Sequence, residues 1–218
     1  MIAKLANILK EILINIDNGL DSEGQAKPKG LLFVDKIAGL AVVGEKSQPI
    51  DIPGAFAVSK FPISLDTEYE DCIRSGCYKD LVPNSKSKGI IYFEDFGTRI
   101  DPNRRGFNYI SNLRLVCWVN NNLIQGNNCK SISHILITLI RKELESKGVF
   151  NSGVYQKIFV KASNIIENDI KLFSRYTYPS DSVKFLMHPY EAFGIDFTIT
   201  YTINQNCINE LEIIQDLC

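Results

Sequence analysis

Between Phe193 and Ile203, apolar and polar residues alternate without a break. Phe193, Ile195, Phe197, Ile199, Tyr201 and Ile203 share one parity; Gly194, Asp196, Thr198, Thr200 and Thr202 share the other. Successive side chains of a strand point to opposite faces, so this pattern predicts an antiparallel strand with one buried and one solvated face. A second strong pattern lies upstream, from Ser131 to Lys147. There Ile132, Ile135, Leu136, Leu139, Ile140 and Leu144 recur at helical spacing and form a wide apolar stripe. Ser131 or Ser133 is the expected cap of its first turn. Arg141, Lys142 and Lys147 suit the negative end of the helix dipole, and Gly148 suits a left-handed stop. The stripe must be covered, and the strands on either side of it are the cover.

Those strands are legible. Gly89 to Asp95 is apolar on both faces (Ile90, Ile91, Tyr92, Phe93). In Tyr109 to Val119, Leu113, Leu115, Cys117 and Val119 point one way, while Asn112, Arg114, Val116 and Trp118 point the other. The two are expected to form a hairpin with a long tip, Thr98 to Asn108, turning at Pro102-Asn103. Tyr155 to Ile166 reads as a further strand, with Ile158, Val160 and Ala162 on one side. Ile2 to Ile16 reads as an amphipathic helix carrying Ile2, Leu5, Leu9, Ile12, Leu13 and Ile16 on one face. Leu31 to Val34 and Leu40 to Val43 suggest a small hairpin joined by Asp35 to Gly39. Val183 to Met187 suggests a short strand, and Ile208 to Leu217 a closing helix. The sum is an α+β fold: a mainly antiparallel sheet flanked by an N-terminal and a central helix, with a long extended arm or loop.

That arm, Gly44 to Lys88, differs in character. Pro49, Pro53, Pro62 and Pro83 punctuate it, and only Thr67 to Ile73 suggests a short helix. Ile50, Ile52, Phe56, Val58, Phe61, Ile63 and Leu65 make it too apolar for a disordered segment. Two readings stand: an inter-subunit arm packing on a neighbouring protomer, or a loop folded on its own domain. The 218 residues suit a single domain with residues 44–88 as the extension.

A formal net charge of −1 argues against a dedicated nucleic-acid binder. Locally, Arg99, Arg104 and Arg105 gather at the hairpin tip, with Lys86 and Lys88 expected nearby. They are candidates for contact with a DNA phosphate backbone or with a partner, against the plainer reading of a solvated tip. Lys4, Lys10 and Glu11 interrupt any signal core, and the longest charge-free apolar run, Ile37 to Gly44, is too short to span a bilayer. The six cysteines, Cys72, Cys77, Cys117, Cys129, Cys207 and Cys218, are therefore read as reduced, structural thiols of a protein made in a cytoplasm. Cys72 and Cys77 lack a second pair at zinc-ligand spacing. Asp17 to Glu23 lacks the full calcium-loop pattern. His134 and His188 lack a signature partner. Asp95-Phe96-Gly97 matches a kinase tripeptide without the other kinase parts. No catalytic, cofactor or metal residue is assigned. The enzymatic alternative is a small hydrolase using Glu94 and Asp95, and their adjacent positions put them on opposite faces of a strand.

Taken together, the opening helix, the Gly89 to Val119 hairpin, the packed helix Ser131 to Lys147, the following strand and the closing strand Phe193 to Ile203 resemble the neck and tail-terminator (tail-completion) proteins of tailed bacteriophages. The stretch from Leu81-Val82-Pro83 to Gly97, with Lys88-Gly89-Ile90-Ile91-Tyr92-Phe93-Glu94-Asp95, is also similar to ring proteins of crAss-like phages. The resemblance implies a structural virion protein rather than an enzyme. It implies a homo-oligomeric ring, hexamer or dodecamer, between portal and tail, assembled in the host cytoplasm. The expected partners are adjoining portal, adaptor or tail proteins and, transiently and without sequence preference, genomic DNA; no cofactor and no membrane are implied. A soluble adaptor for a host protein is the remaining alternative.

Overall fold

A computed structural model describes residues 2–18, 25, 27–49, 56–65, 81–104, 106–126, 130–146, 149–167, 170–178 and 183–204. In chain order the elements are α1 (Ile2–Ile14), β1 (Lys36–Pro49), β2 (Phe56–Ser64), β3 (Gly89–Ile100), β4 (Asn108–Asn120), the short α2 (Asn121–Gln125), α3 (Ser133–Ser146), β5 (Val149–Ser152), β6 (Tyr155–Glu167) and β7 (Tyr190–Ile203). Two 3₁₀ turns, Ile170–Phe173 and Lys184–Leu186, lie between β6 and β7. The strands form one seven-stranded sheet in the order β2-β1-β3-β4-β7-β6-β5. Every pairing is antiparallel except β1 with β3, so the fold is α+β as expected.

The alternation in β7 decides which way the sheet faces. Phe193, Ile195, Phe197, Ile199 and Tyr201 are buried in the main core. Leu113, Leu115, Cys117 and Val119 of β4 join them on the same face, as does the pair Ile91 and Phe93 of β3. Two helices cover this face, α1 against β1 and α3 against β6 and β7. Leu5, Ala6, Leu9 and Leu13 are the contact stripe of α1. Each fully buried side chain of this size contributes roughly 1.5–3 kcal/mol by leaving water, so this layer supplies most of the driving force.

The second face is covered at one end only. There Ile90, Tyr92, Val116, Trp118 and Ala192 pack under Leu172, Phe173 and Tyr176. β7 is therefore buried on both faces around residues 192–195, not solvated on one face throughout. Gly194 permits this close approach, since a Cβ there would lie 2.6 Å from Leu172 Cδ2. Further along, Asp196, Thr198, Thr200 and Thr202 are half-buried and polar, as the alternation predicts.

Several local expectations change. Residues 31–34 form a turn, not a strand: Val34 N–H donates to Leu31 O at 3.0 Å, which closes the backbone on itself, and β1 then runs unbroken through the predicted connection. Residues 184–186 are a 3₁₀ turn, not a strand: Met187 N–H closes it on Lys184 O at 3.4 Å, and the Phe185 carbonyl accepts from Trp118 Nε1 at 2.6 Å. Ser131 Oγ and Ser133 Oγ do not cap α3; both donate to Glu191 Oε2, at 2.9 and 2.6 Å. The contact face of α3 is Leu136, Ile137, Ile140 and Leu144, and Ile135 and Leu139 stand 44% and 36% exposed. The apolar stripe is wider than the surface it covers. The predicted helices at Thr67 to Ile73 and Ile208 to Leu217, with Lys147, Gly148 and most of Asp17 to Glu23, lie outside the described residues.

This register for α3 has a direct consequence. Leu144→Ala is expected to cost about 2–5 kcal/mol in urea unfolding, because it leaves a cavity in a closed core. Leu139→Ala is expected to cost under about 0.5 kcal/mol, as exposed substitutions do. Equal losses at the two positions would contradict the register.

Candidate functional site

The basic residues singled out in the sequence do not converge. β3 begins at Gly89 and ends at Ile100, so Lys86 and Lys88 sit at one end of the strand and Arg99 and Arg104 at the other. At about 3.3 Å per residue the two groups are roughly 35 Å apart, which overturns the expectation that they lie close together. Lys86 and Lys88 are exposed in a loop held by Asn84, whose Oδ1 accepts from the backbone N–H of Lys86 (2.9 Å) and Ser87 (3.0 Å). At the tip, the buried Asp101 accepts from Asn103 N–H at 2.9 Å, and Arg104 Nε stands 3.6 Å from Asp101 Oδ2. That pairing offsets one of the tip's cations. Arg105 lies outside the described residues. The tip is as apolar as it is basic: Phe96, Ile100 and Phe107 are 47%, 70% and 41% exposed. Such a cluster on a hairpin end suits a protein partner better than a phosphate track.

The arm is a two-stranded ribbon. β1 and β2 pair without a break from Ala41↔Ser64 to Pro49↔Phe56. Its base is packed at home: Phe61 and Ile63, expected to reach a neighbouring subunit, are 1% and 6% exposed. Ile63 fills the space above Gly44, where a Cβ would lie 1.7 Å from Ile63 Cδ1, and Lys60 O accepts from Thr177 N–H at 2.9 Å. These two residues are thereby removed from any inter-subunit surface. Val58, further out, is 46% exposed and remains available. Phe56 opens β2, and the side-chain surroundings of Phe56, like Ile50 and Ile52 altogether, lie outside the described residues.

The second face also carries a row of ionisable groups in register: Glu94, Arg114 and Asp196 sit opposite one another on β3, β4 and β7. Arg114 binds Asp196 through two bonds, Nε to Oδ1 at 2.6 Å and Nη2 to Oδ2 at 3.2 Å. The Arg114 guanidinium also lies 4.4 Å above the Phe96 ring. Glu94 is fully buried; Tyr176 Oη donates to its Oε1, and Arg175 Nη1 stands 3.8 Å from its Oε2. Burial raises the Glu94 pKa above the ordinary carboxylate range, and the Tyr176 hydrogen bond and the Arg175 charge pull it partly back. The hydroxyls of Tyr92 and Tyr178 are near enough to influence each other's ionisation, yet neither makes a hydrogen bond of good geometry. Asp95, the other carboxylate of the hydrolase alternative, is exposed, and its Oδ1 accepts from Gly97 N–H at 2.7 Å. The two carboxylates diverge. A small cleft of about 260 Å³ beside Arg114 and Asp196 does not include Glu94.

Elsewhere, a shallow groove of about 690 Å³ separates α1 from the β5–β6 turn. Cys117 is buried as a free thiol whose pKa is pushed well up by burial, which makes it inert. Cys72, Cys77, Cys129, Cys207 and Cys218 lie outside the described residues. His134 and His188 are exposed and far apart in sequence, on α3 and in the turn before β7. Among the described residues no group of three His, Cys, Asp or Glu side chains is placed to hold a metal, and no helix is long and apolar enough to cross a membrane. Comparison with protein-family models, curated proteins and solved structures found no match to this chain.

The buried carboxylate gives a pH signature. Between the ordinary carboxylate range and Glu94's raised value, the native state keeps a proton that the unfolded chain has released, so stability falls as pH rises through that window. Glu94→Gln keeps an acceptor for Tyr176 and removes the buried charge. The variant is expected to be more stable than wild type at neutral pH, with the difference shrinking as pH falls to about 4. Urea midpoints at the two pH values check this; a variant destabilised more at neutral pH than at about pH 4 would show that the Arg175 pairing outweighs the burial cost.

Proposed function

We propose that this chain is a structural virion protein that forms a ring in the head-to-tail connector, or at the tail terminus, of a tailed phage, joining portal and tail around the DNA channel. The observation that carries the reading is the β1–β2 ribbon. Its base is bound to the domain through the Lys60 carbonyl, Phe61 and Ile63, while beyond Glu45 its described pairing is between its own two strands. An isolated two-stranded ribbon is marginally stable in water, and contact with a neighbouring protomer supplies the missing support. The exposed Phe96, Ile100 and Phe107 at the far end of the β3–β4 hairpin are a second apolar surface of the kind that assembly covers.

In this reading Arg99 and Arg104 meet an adjoining ring or graze the passing DNA, and the near-neutral net charge keeps the wall from holding the DNA. The hydrolase alternative rested on Glu94 and Asp95, of which one is buried and bonded to Tyr176 and the other is exposed on the opposite side of β3. A host-protein adaptor would use the same exposed ribbon, and symmetry separates the two: a ring has it and an adaptor does not.

Negative-stain images and light scattering of the purified chain test the proposal. A closed ring of six or twelve copies is expected. Shortening the ribbon by replacing residues 46–59 with Asn-Gly, a good hairpin turn between the paired Glu45 and Lys60, is expected to leave a folded monomer and abolish the ring. A wild-type chain that stays monomeric, with a protease-resistant ribbon in that monomer, would overturn the reading.

A further inference from the structure

The sheet leaves two strand segments with one edge open. β1 runs beside β3 only from Lys36↔Ile90 to Leu40↔Phe93 and then departs with β2. Among the described residues, nothing pairs with the outer edge of residues 94–100 of β3. On the far side, β5 covers β6 only from Ser152↔Tyr155 to Val149↔Phe159. Glu145 Oε1 accepts from Ala162 N–H at 2.7 Å, and beyond that point residues 163–167 carry no strand on their outer side among the described residues. Neither segment contains a proline or a lysine, and the register shift in each, between Asp95 and Thr98 and between Ala162 and Asn164, leaves residues 98–100 and 164–167 as the regular parts of the two edges.

The two edges are compatible in direction and in chemistry. β3, β4, β7 and β6 alternate antiparallel, so β6 runs opposite to β3. Across the sheet, residues 164–167 of β6 lie level with residues 94–91 of β3, so a second copy in the same orientation, displaced along the strands by about four residues (roughly 13 Å), lays its β6 edge antiparallel to the open β3 edge. The exposed side chains also match. Ile165 sits opposite Ile195 of the helix-covered face, and Ile100 sits opposite Tyr109, which stacks on the core residue Tyr201 of that same face. Ile165 and Ile100 are 37% and 70% exposed, and one joint would cover both.

We infer that this chain adds to a second copy of itself head to tail, the edge of β6 residues 163–167 pairing with the edge of β3 residues 94–100 of the next protomer, so that the sheet continues across the interface. The inference rests on the ring reading and names its interface. The contact is heterologous: each protomer uses one edge on one side and the other edge on the other, which closes into a ring when the rotation per step permits.

The test uses two full-length variants, Ile165→Lys to block the β6 edge and Ile100→Lys to block the β3 edge. Both positions are exposed, and unchanged thermal unfolding verifies that each variant folds. In sedimentation velocity, wild type is expected to assemble and each variant alone to run as a monomer. A 1:1 mixture is expected to form a heterodimer of twice the monomer mass, since one intact edge of each kind remains. Wild-type-like assembly of both variants would overturn the edge pairing and leave the ring reading standing on other surfaces. Loss of assembly in Ile165→Lys alone would replace it with a two-fold β6–β6 contact. A monomeric wild type would overturn the edge pairing and the ring together.

Discussion

The fold depends on a short stretch where three strands are buried on both faces. Residues 90–93 of β3, 115–118 of β4 and 192–195 of β7 lie in register there. One face is closed by α1 and α3. The other is closed by a thin layer built from the ribbon base and residues 170–178. Trp118 ties the second layer down: its ring stacks on Tyr190 at 5.5 Å, and its Nε1–H is satisfied by the Phe185 carbonyl. Burial on two sides demands near-continuous apolar sequence, which is what Ile90-Ile91-Tyr92-Phe93 and Val116-Cys117-Trp118-Val119 supply. Past this stretch the second layer ends: β4 and β7 revert to one buried face, and β3 is exposed on both from Asp95 to Ile100.

The row Glu94, Arg114 and Asp196 marks that border. Its net worth to stability is modest, because Arg114 and Asp196 remain partly exposed and an ion pair in contact with water gains little. Its effect on register is larger. A slip of one residue between β4 and either neighbour would send Arg114 into the helix-covered core and Leu113 or Leu115 out of it. The alternation of an acid, a base and an acid across β3, β4 and β7 also gives the base an opposite charge on either side. Glu94 is the costly member, buried and bonded to Tyr176, and it holds the 170–178 layer in place through that bond.

Much of this was legible in the sequence, for physical reasons that also explain the rest. The strict period of two in β7 and in β4 has one structural solution, so both strands and their facing are read directly. The β3–β4 hairpin and α1 follow from the same periodicities. Ile135 and Leu139 share the stripe yet stand exposed, because helical spacing reports which residues share a face, not how wide a surface the neighbouring sheet offers. Residues 31–34 and 183–187 are short apolar runs, where periodicity cannot tell a strand from a turn packed on the core. The separation of Lys86 and Lys88 from the tip arginines follows from the length of β3, which continues past its apolar residues on the strength of pairing to β4. Least legible was the second layer. Leu172, Phe173 and Tyr176 form no periodic pattern, and only Gly194, opposite Leu172, hints that something approaches there.

The distribution of burial bears on what the molecule is for. Proteins that act alone usually cover or blunt their sheet edges, because an open edge is a template for association. Here the covering is partial and uneven. Glu145 takes one N–H of β6, the ribbon shields the first third of β3 and then leaves it, and apolar side chains stand exposed at both places. Several interior polar groups, by contrast, are directed at one another: Glu94 at Tyr176, Arg114 at Asp196, Ser111 at Thr98 and Tyr201, while the buried Tyr92 and Tyr178 hydroxyls and the Asn121 side chain are left without a hydrogen bond. The row across β3, β4 and β7 fixes the register of the sheet, and the apolar side chains that folding leaves uncovered, Ile100 and Ile165 among them, stand beside the strand edges that no described strand pairs.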